Sequence, residues 1–198
     1  MKKIILAGVV SSLLSAAAFA APATLAAAGP IDGGKDVTSA TLTWKAEVPV
    51  IVPGQWVTFT GKAGSMTLDD ADLNVKADGT FKSEPIVLEL HTYDADTNTP
   101  GELIALKTDQ FGGVGVDSIS YQVKAPEFSS KLGTDVTKVE SKILLDGTEV
   151  EHDAAIPSTA VETTWSLEGS DVGTMIGGDV ITAQTVVIAD VTFAKIGA

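Results

Sequence analysis

Ile143-Leu144-Leu145-Asp146-Gly147-Thr148-Glu149-Val150 reads as two short strands joined by a two-residue turn. A type I′ turn needs positive φ at both central positions, which Asp-Gly tolerates, and its twist matches that of the strands it joins. Asn74-Val75-Lys76 and Thr80-Phe81-Lys82 flank a second Asp-Gly, Asp78-Gly79, and predict another hairpin of the same kind. Two such hairpins make antiparallel pairing the organising rule of the chain.

Outward from these turns, short apolar-alternating runs recur at Gln55 to Thr60, Leu73 to Lys76, Ile86 to Tyr93, Leu103 to Thr108, Ser118 to Lys124, Val139 to Leu145, Val161 to Leu167 and Thr185 to Ala194. Regular spacing of strands with turn residues between them predicts an all-β antiparallel sandwich or barrel. No window of ten or more residues keeps a helical apolar stripe, and Asp171 to Ile176 offers one turn at most. No solenoid-length repeat or coiled-coil heptad is present.

Met1-Lys2-Lys3, the apolar run Ile4 to Leu14 and Ala18-Phe19-Ala20 have the form of a secretory signal peptide cut near Ala21. Ala26-Ala27-Ala28 offers a second small-residue site nearby. No later apolar run reaches the roughly 20 residues of a membrane-spanning helix. The remainder of the 198 residues suits one domain. The chain has no cysteine, so in an oxidising compartment it must rely on packing, sheet hydrogen bonds or association. Its formal net charge is −13, which argues against nucleic acid and anionic lipid as partners.

Catalytic and metal-binding signatures are weak throughout. His91 and His152 are the two histidines, and neither has a zinc-ligand spacing. His91 falls on the parity opposite to Ile86, Leu88 and Leu90, which predicts a plain surface imidazole. Asp94, Asp96 and Asn98 imitate the start of a calcium loop, but Thr99 and Ala105 occupy its glycine and glutamate positions. The better reading is a polar hairpin loop, Asp94 to Glu102, turning at Pro100-Gly101. Asp69, Asp70 and Asp72 read as a solvated loop. There is no G-x-S-x-G, and Gly112-Gly113-Val114-Gly115 lacks the lysine of a phosphate loop, so it reads as a connection between strands. The expectation is a protein without enzymatic activity, bound metal or cofactor.

The two ends carry the sharper signal. After the Ala-, Gly- and Pro-rich leader Ala21 to Asp36, the run Ala40 to Val50 alternates strictly. Leu42, Trp44, Ala46, Val48 and Val50 share one side of an extended strand, and Thr41, Thr43, Lys45 and Glu47 share the other. Near the opposite end, Val187, Ala189, Val191 and Phe193 line one face of Thr185 to Phe193.

On these residues the chain resembles the major pilins of chaperone–usher fimbriae, particularly the disulfide-free alternate class that includes the colonisation factor antigen pilins and the enterobacterial common pilus. The resemblance is sharpest from Val37 to Thr60, where Thr41 to Ile51 looks like the donor segment of those pilins, and is architectural in the middle. It implies an immunoglobulin-like sandwich that lacks one strand and is completed by a donor strand. The implied layout is a signal peptide over 1–20, a leader over 21–36, a donor segment over 37–52 and a pilin domain over 53–198. Leu42, Trp44, Ala46, Val48 and Val50 would be the donor residues, and Val187, Ala189, Val191 and Phe193 would contact a periplasmic chaperone. The implied partners are identical subunits, the chaperone, an outer-membrane usher and a host receptor, with export through the periplasm to a surface fimbria. The competing reading is a self-complete exported β-sandwich, such as an adhesin or glycan-binding module that stacks a sugar on Trp56 or Tyr93. A secreted hydrolase, for want of a paired catalytic motif, ranks below both.

Overall fold

The computed structural model describes residues 51–68 and 70–197. These residues form an all-β structure in which every strand pairing is antiparallel. In chain order the strands are β1 Val57–Thr60, β2 Leu73–Val75, β3 Phe81–Ser83, β4 Ile86–Asp94, β5 Thr99–Leu103, β6 Val114–Val123 and β7 Glu127–Ser130. There follow β8 Glu140–Leu145, β9 Thr148–Val150, β10 Ile156–Ser158, β11 Glu162–Ser170, β12 Ile181–Gln184 and β13 Val187–Lys195. Among the described residues one 3-10 turn, Lys62–Gly64, follows β1.

The larger sheet runs β1-β4-β11-β3-β2, with β5 added to β4 and the β8–β9 hairpin added to β11. A smaller sheet has the order β10-β6-β13, and β7 and β12 form a two-stranded ribbon. Inward residues of the two sheets, with Ile104 just past β5, meet in one core of Leu88, Leu90, Ile104, Val116, Ile119, Tyr121, Val123, Ile143 and Trp165, as face-to-face sheet packing requires. Tyr121 is its hub, stacked on Phe59 at 6.3 Å and edge-on to Trp165 at 6.3 Å. Its hydroxyl donates to Ala160 O at 2.7 Å. The buried Trp165 indole is likewise satisfied, donating to Thr163 Oγ1 at 3.0 Å, because burying either polar handle without a partner would cost stability.

The Asp146-Gly147 turn is the expected one. Asp146 has φ 50°, Gly147 has φ 80°, and Leu145 stands directly opposite Thr148. Asp78-Gly79 departs from expectation. Gly79 N donates to Lys76 O at 3.0 Å and Lys76 N to Thr80 O at 2.8 Å, which makes a three-residue loop with Gly79 alone at positive φ, 82°. The Asp78 carboxylate explains the difference, since it accepts from Thr80 N and Thr80 Oγ1 and favours an Asx-type bend within the longer loop.

The region after β4 also differs. The expected strand Leu103 to Thr108 is absent beyond Leu103, and Pro100 and Gly101 lie inside β5 instead of forming the turn. The bend occupies residues 95–98, where Asp94 Oδ1 accepts from Asp96 N and Thr97 N at 2.9 and 3.2 Å and Asn98 takes φ 55°. A carboxylate that caps its own turn outcompetes the Pro-Gly signal, and an edge strand tolerates the proline. The acidic residues Asp70 and Asp72 are exposed as expected, while Asp69 lies outside the described residues.

His91 corrects the sequence reading more sharply. It is on the outer face as its parity demands, yet it is only 9% exposed. The turn Lys62–Gly64 lies over that face, and the Gly101 carbonyl of the neighbouring strand β5 reaches the ring at 2.9 Å. Glu89 Oε1 accepts from Ala63 N at 2.9 Å and Oε2 from Gly64 N at 3.0 Å, while His91 Nε2 lies 3.0 Å from Glu89 Oε2. These bonds, the Ala63 amide first and the His91 ring second, hold the Glu89 carboxyl below its ordinary range.

Glycine substitutions separate backbone conformation from close contact. Gly147 has open space around a would-be Cβ, whereas a Cβ on Gly79 would lie 2.7 Å from Val172 O. Gly147→Ala is expected to cost about 1–2 kcal/mol, and Gly79→Ala about 1–3 kcal/mol more, read from denaturant midpoints. Tyr121 gives the alkaline limb of stability. Its removal from water, reinforced by the charge of Asp146, pushes the hydroxyl up from 10.0 to about 12. Because the folded value exceeds the ordinary one, the associated stability is intact below about pH 10 and is lost between about pH 10 and 12, by about 3 kcal/mol. Tyr121→Phe is expected to flatten that limb in a pH series of unfolding curves while costing about 1 kcal/mol at neutral pH.

Candidate functional site

β13 is nine residues long. Among the described residues it has β6 on one side and no strand on the other. Lys124 N donates to Val186 O at one end of the pair and Ile196 N to Gly113 O at the other. With the register, these bonds fix the phase of the ladder. Ile188, Asp190, Thr192 and Ala194 bond to β6, and Val187, Ala189, Val191, Phe193 and Lys195 turn their N–H and C=O groups to the opposite edge.

The same alternation sets the side chains. Val187, Ala189, Val191 and Phe193 all pack against the core, as the sequence pattern predicts. They stay on one face because the irregularity in the pairing falls on the partner. Thr192 opposes Ser118 and Phe193 opposes Val116, so Asp117 is an extra residue in β6 and the bulge belongs there. That shift brings Val116 into the core beside Ile119, Tyr121 and Val123.

Coverage differs between the two strands. Inward residues of β6 are at most 2% exposed, whereas the four inward residues of β13 are only partly buried. Val186, just before the strand, is 59% exposed. A cluster of aromatic rings closes the far end, with Phe193 edge-on to Trp56 at 5.8 Å and to Phe111 at 5.3 Å. Trp56 is nonetheless 54% exposed. It leads into β1, which pairs with β4 and is itself a sheet edge among the described residues. The arrangement is a partly covered apolar seam beside a long strand edge. It is suited to receive an extended chain.

Leu42, Trp44, Ala46, Val48 and Val50 lie outside the described residues. Trp56 and Tyr93 are neighbours through Tyr93 N donating to Trp56 O at 2.8 Å. They do not present two free rings, since Trp56 packs on Phe193 and the Tyr93 hydroxyl donates to Asn98 Oδ1. Phe111 was not anticipated as part of this seam. Its lone aromatic in a Gly-rich loop is the one signal the sequence offers for it. No protein-family model, no curated protein and no solved structure matches this chain.

The facing of β13 is open to direct test. Phe193→Ala is expected to cost about 2–4 kcal/mol and Ile188→Ala, on the opposite face, less than about 1 kcal/mol, both measured by denaturant unfolding. Equal costs would place the strand in the other register.

Proposed function

We propose that this chain is a structural subunit of a bacterial surface fimbria of the alternate chaperone–usher class, polymerising head to tail by donor-strand exchange. The observation that carries this reading is the edge of β13: nine residues of strand, apolar toward the core and without a neighbour on its outer side among the described residues. Self-contained sandwiches blunt such edges with charge, proline, bulges or a covering loop, because an open edge templates pairing with another chain. Here the bulge sits in β6, and Lys195 is the one basic residue of β13.

In this reading Leu42, Trp44, Ala46, Val48 and Val50 of one subunit lie along β13 of the next. The body is then an immunoglobulin-like fold that lacks one strand. Residues 37–50 of the donor segment span about 45 Å when extended, against about 30 Å for β13, so the length is sufficient. Val187, Ala189, Val191 and Phe193 supply the outward backbone groups and the half-covered seam. A large apolar donor side chain contributes about 1.5–3 kcal/mol on full burial, and main-chain hydrogen bonds add to it. A contact between a donor at one end and an acceptor elsewhere is heterologous, so it builds an open filament. A periplasmic chaperone would cover the same seam before assembly, the usher would deliver the subunit, and the acidic surface would face solvent or a host receptor.

Trp44→Asp tests the reading, because a charge in a dry seam costs several kcal/mol. The expected outcome is soluble subunit with fibre loss in electron micrographs of expressing cells, and the same from deletion of 37–50. A deletion variant that unfolds with β6 and β13 unprotected in hydrogen exchange would instead mean that 37–50 belongs to the subunit's own sheet. The protein would then be the self-complete exported sandwich.

A further inference from the structure

We propose that Glu89 and His91 form a pH-sensitive latch, closed by the doubly protonated imidazole, that pins the turn Lys62–Gly64 to the outer face of β4 and ties β5 to the edge of β4 at Gly101. His91 Nδ1 lies 2.9 Å from Gly101 O, and a carbonyl oxygen only accepts, so Nδ1 carries a hydrogen. His91 Nε2 lies 3.0 Å from Glu89 Oε2, which also accepts from Gly64 N. The carboxylate is an acceptor there, so Nε2 carries a hydrogen as well. A neutral ring has one N–H and satisfies only one of these two partners.

The local backbone is shaped for this arrangement. The β4–β5 register slips between His91 opposite Leu103 and Tyr93 opposite Pro100. The extra residue in β5 is a bulge beside Gly101, which presents the Gly101 carbonyl to the ring. On the other flank Ala63 takes φ 59° and Gly64 φ 75°, which turns two successive N–H groups onto the Glu89 carboxylate, an arrangement that favours an anion. Both side chains are about nine-tenths buried, so an ionised Glu89 needs a compensating charge.

The other elements around the pair do not supply one. β1 presents Thr58 opposite His91 and Thr60 opposite Glu89, and the buried Thr60 Oγ1 has no hydrogen-bond partner. β11 presents the exposed Glu162 opposite Glu89. β5 contributes Leu103 and the exposed Glu102, and the turn contributes the exposed Lys62. The nearest added charges are thus two carboxylates and one solvated ammonium. The imidazolium is the cation in contact with Glu89.

The two groups act in opposite directions with pH. The folded carboxyl of Glu89 lies below its ordinary 4.5, so its contribution is in place above about pH 4.5 and is lost as pH falls through the folded value. A ring that gives up one of its two protons can donate to only one of the two acceptors, so the contacts with Gly101 O and Glu89 are made together only by the doubly protonated ring. The latch is therefore closed in mildly acidic solution and opens toward alkaline pH.

Hydrogen exchange of the full mature chain at pH 6.0 and 8.5, corrected for intrinsic rates, tests this. Peptides covering residues 61–66 and 99–104 are expected to lose protection at least tenfold at pH 8.5, while a peptide covering 114–123 is unchanged. In His91→Gln the two latch peptides are expected to be weakly protected at both pH values. In Glu89→Gln an amide N–H can donate to a neutral ring, so partial protection should persist without the pH dependence. Equal protection of wild type at both pH values, or pH dependence surviving in Glu89→Gln, would overturn the proposal. The wild-type comparison stands even where a variant fails to fold.

Discussion

The edge of β13 is the constraint on which the rest of the molecule depends. Strands β6 and β13 are neighbours in one small sheet, yet inward residues of β6 are essentially excluded from water while those of β13 are only partly covered. Backbone groups on the outer side of a strand need partners or water, and an apolar seam beside them favours a partner that brings both. Surface area and hydrogen bonding thus point to the same occupant, an extended segment with alternating apolar side chains.

The core explains how such an edge is held in place. Tyr121 lies at the junction of the two sheets, touching Phe59 on one strand and Trp165 on another, with its hydroxyl tied to Ala160. Its neighbours on β6 set the height at which β13 lies against the core. The Asp117 bulge then keeps Val116 and Phe193 on the inward side past the point where strict alternation would have turned one of them out. With no cysteine in the chain, this packing and the antiparallel ladders, not a cross-link, keep the seam in shape.

Much of this was legible in the sequence, for a definite reason. Period-two alternation is a direct physical signal wherever one face is buried, and it located β4, β6, β8, β11 and the inward face of β13. Asp146-Gly147 identified its hairpin because two left-handed positions are a demanding local requirement. Glu127–Ser130, Ile156–Ser158 and Ile181–Gln184 were not recognised as strands. Each is short and largely solvated, so pairing with a neighbour, not patterning, makes it a strand. Pro100-Gly101 misled because the Asp94 carboxylate caps an earlier bend. His91 misled because parity reports which face a residue occupies, not whether another segment later covers that face.

Size analysis of the protein in surface extracts of expressing cells, in SDS with and without boiling and with electron microscopy of the same sample, bears most directly on strand exchange. Strand exchange predicts thin fibres and a ladder of multimers that collapses only on boiling, to one band slightly below the 20.3 kDa of the full chain. A single unladdered band before heating, from a sample without fibres, would contradict it and leave a self-complete β-sandwich.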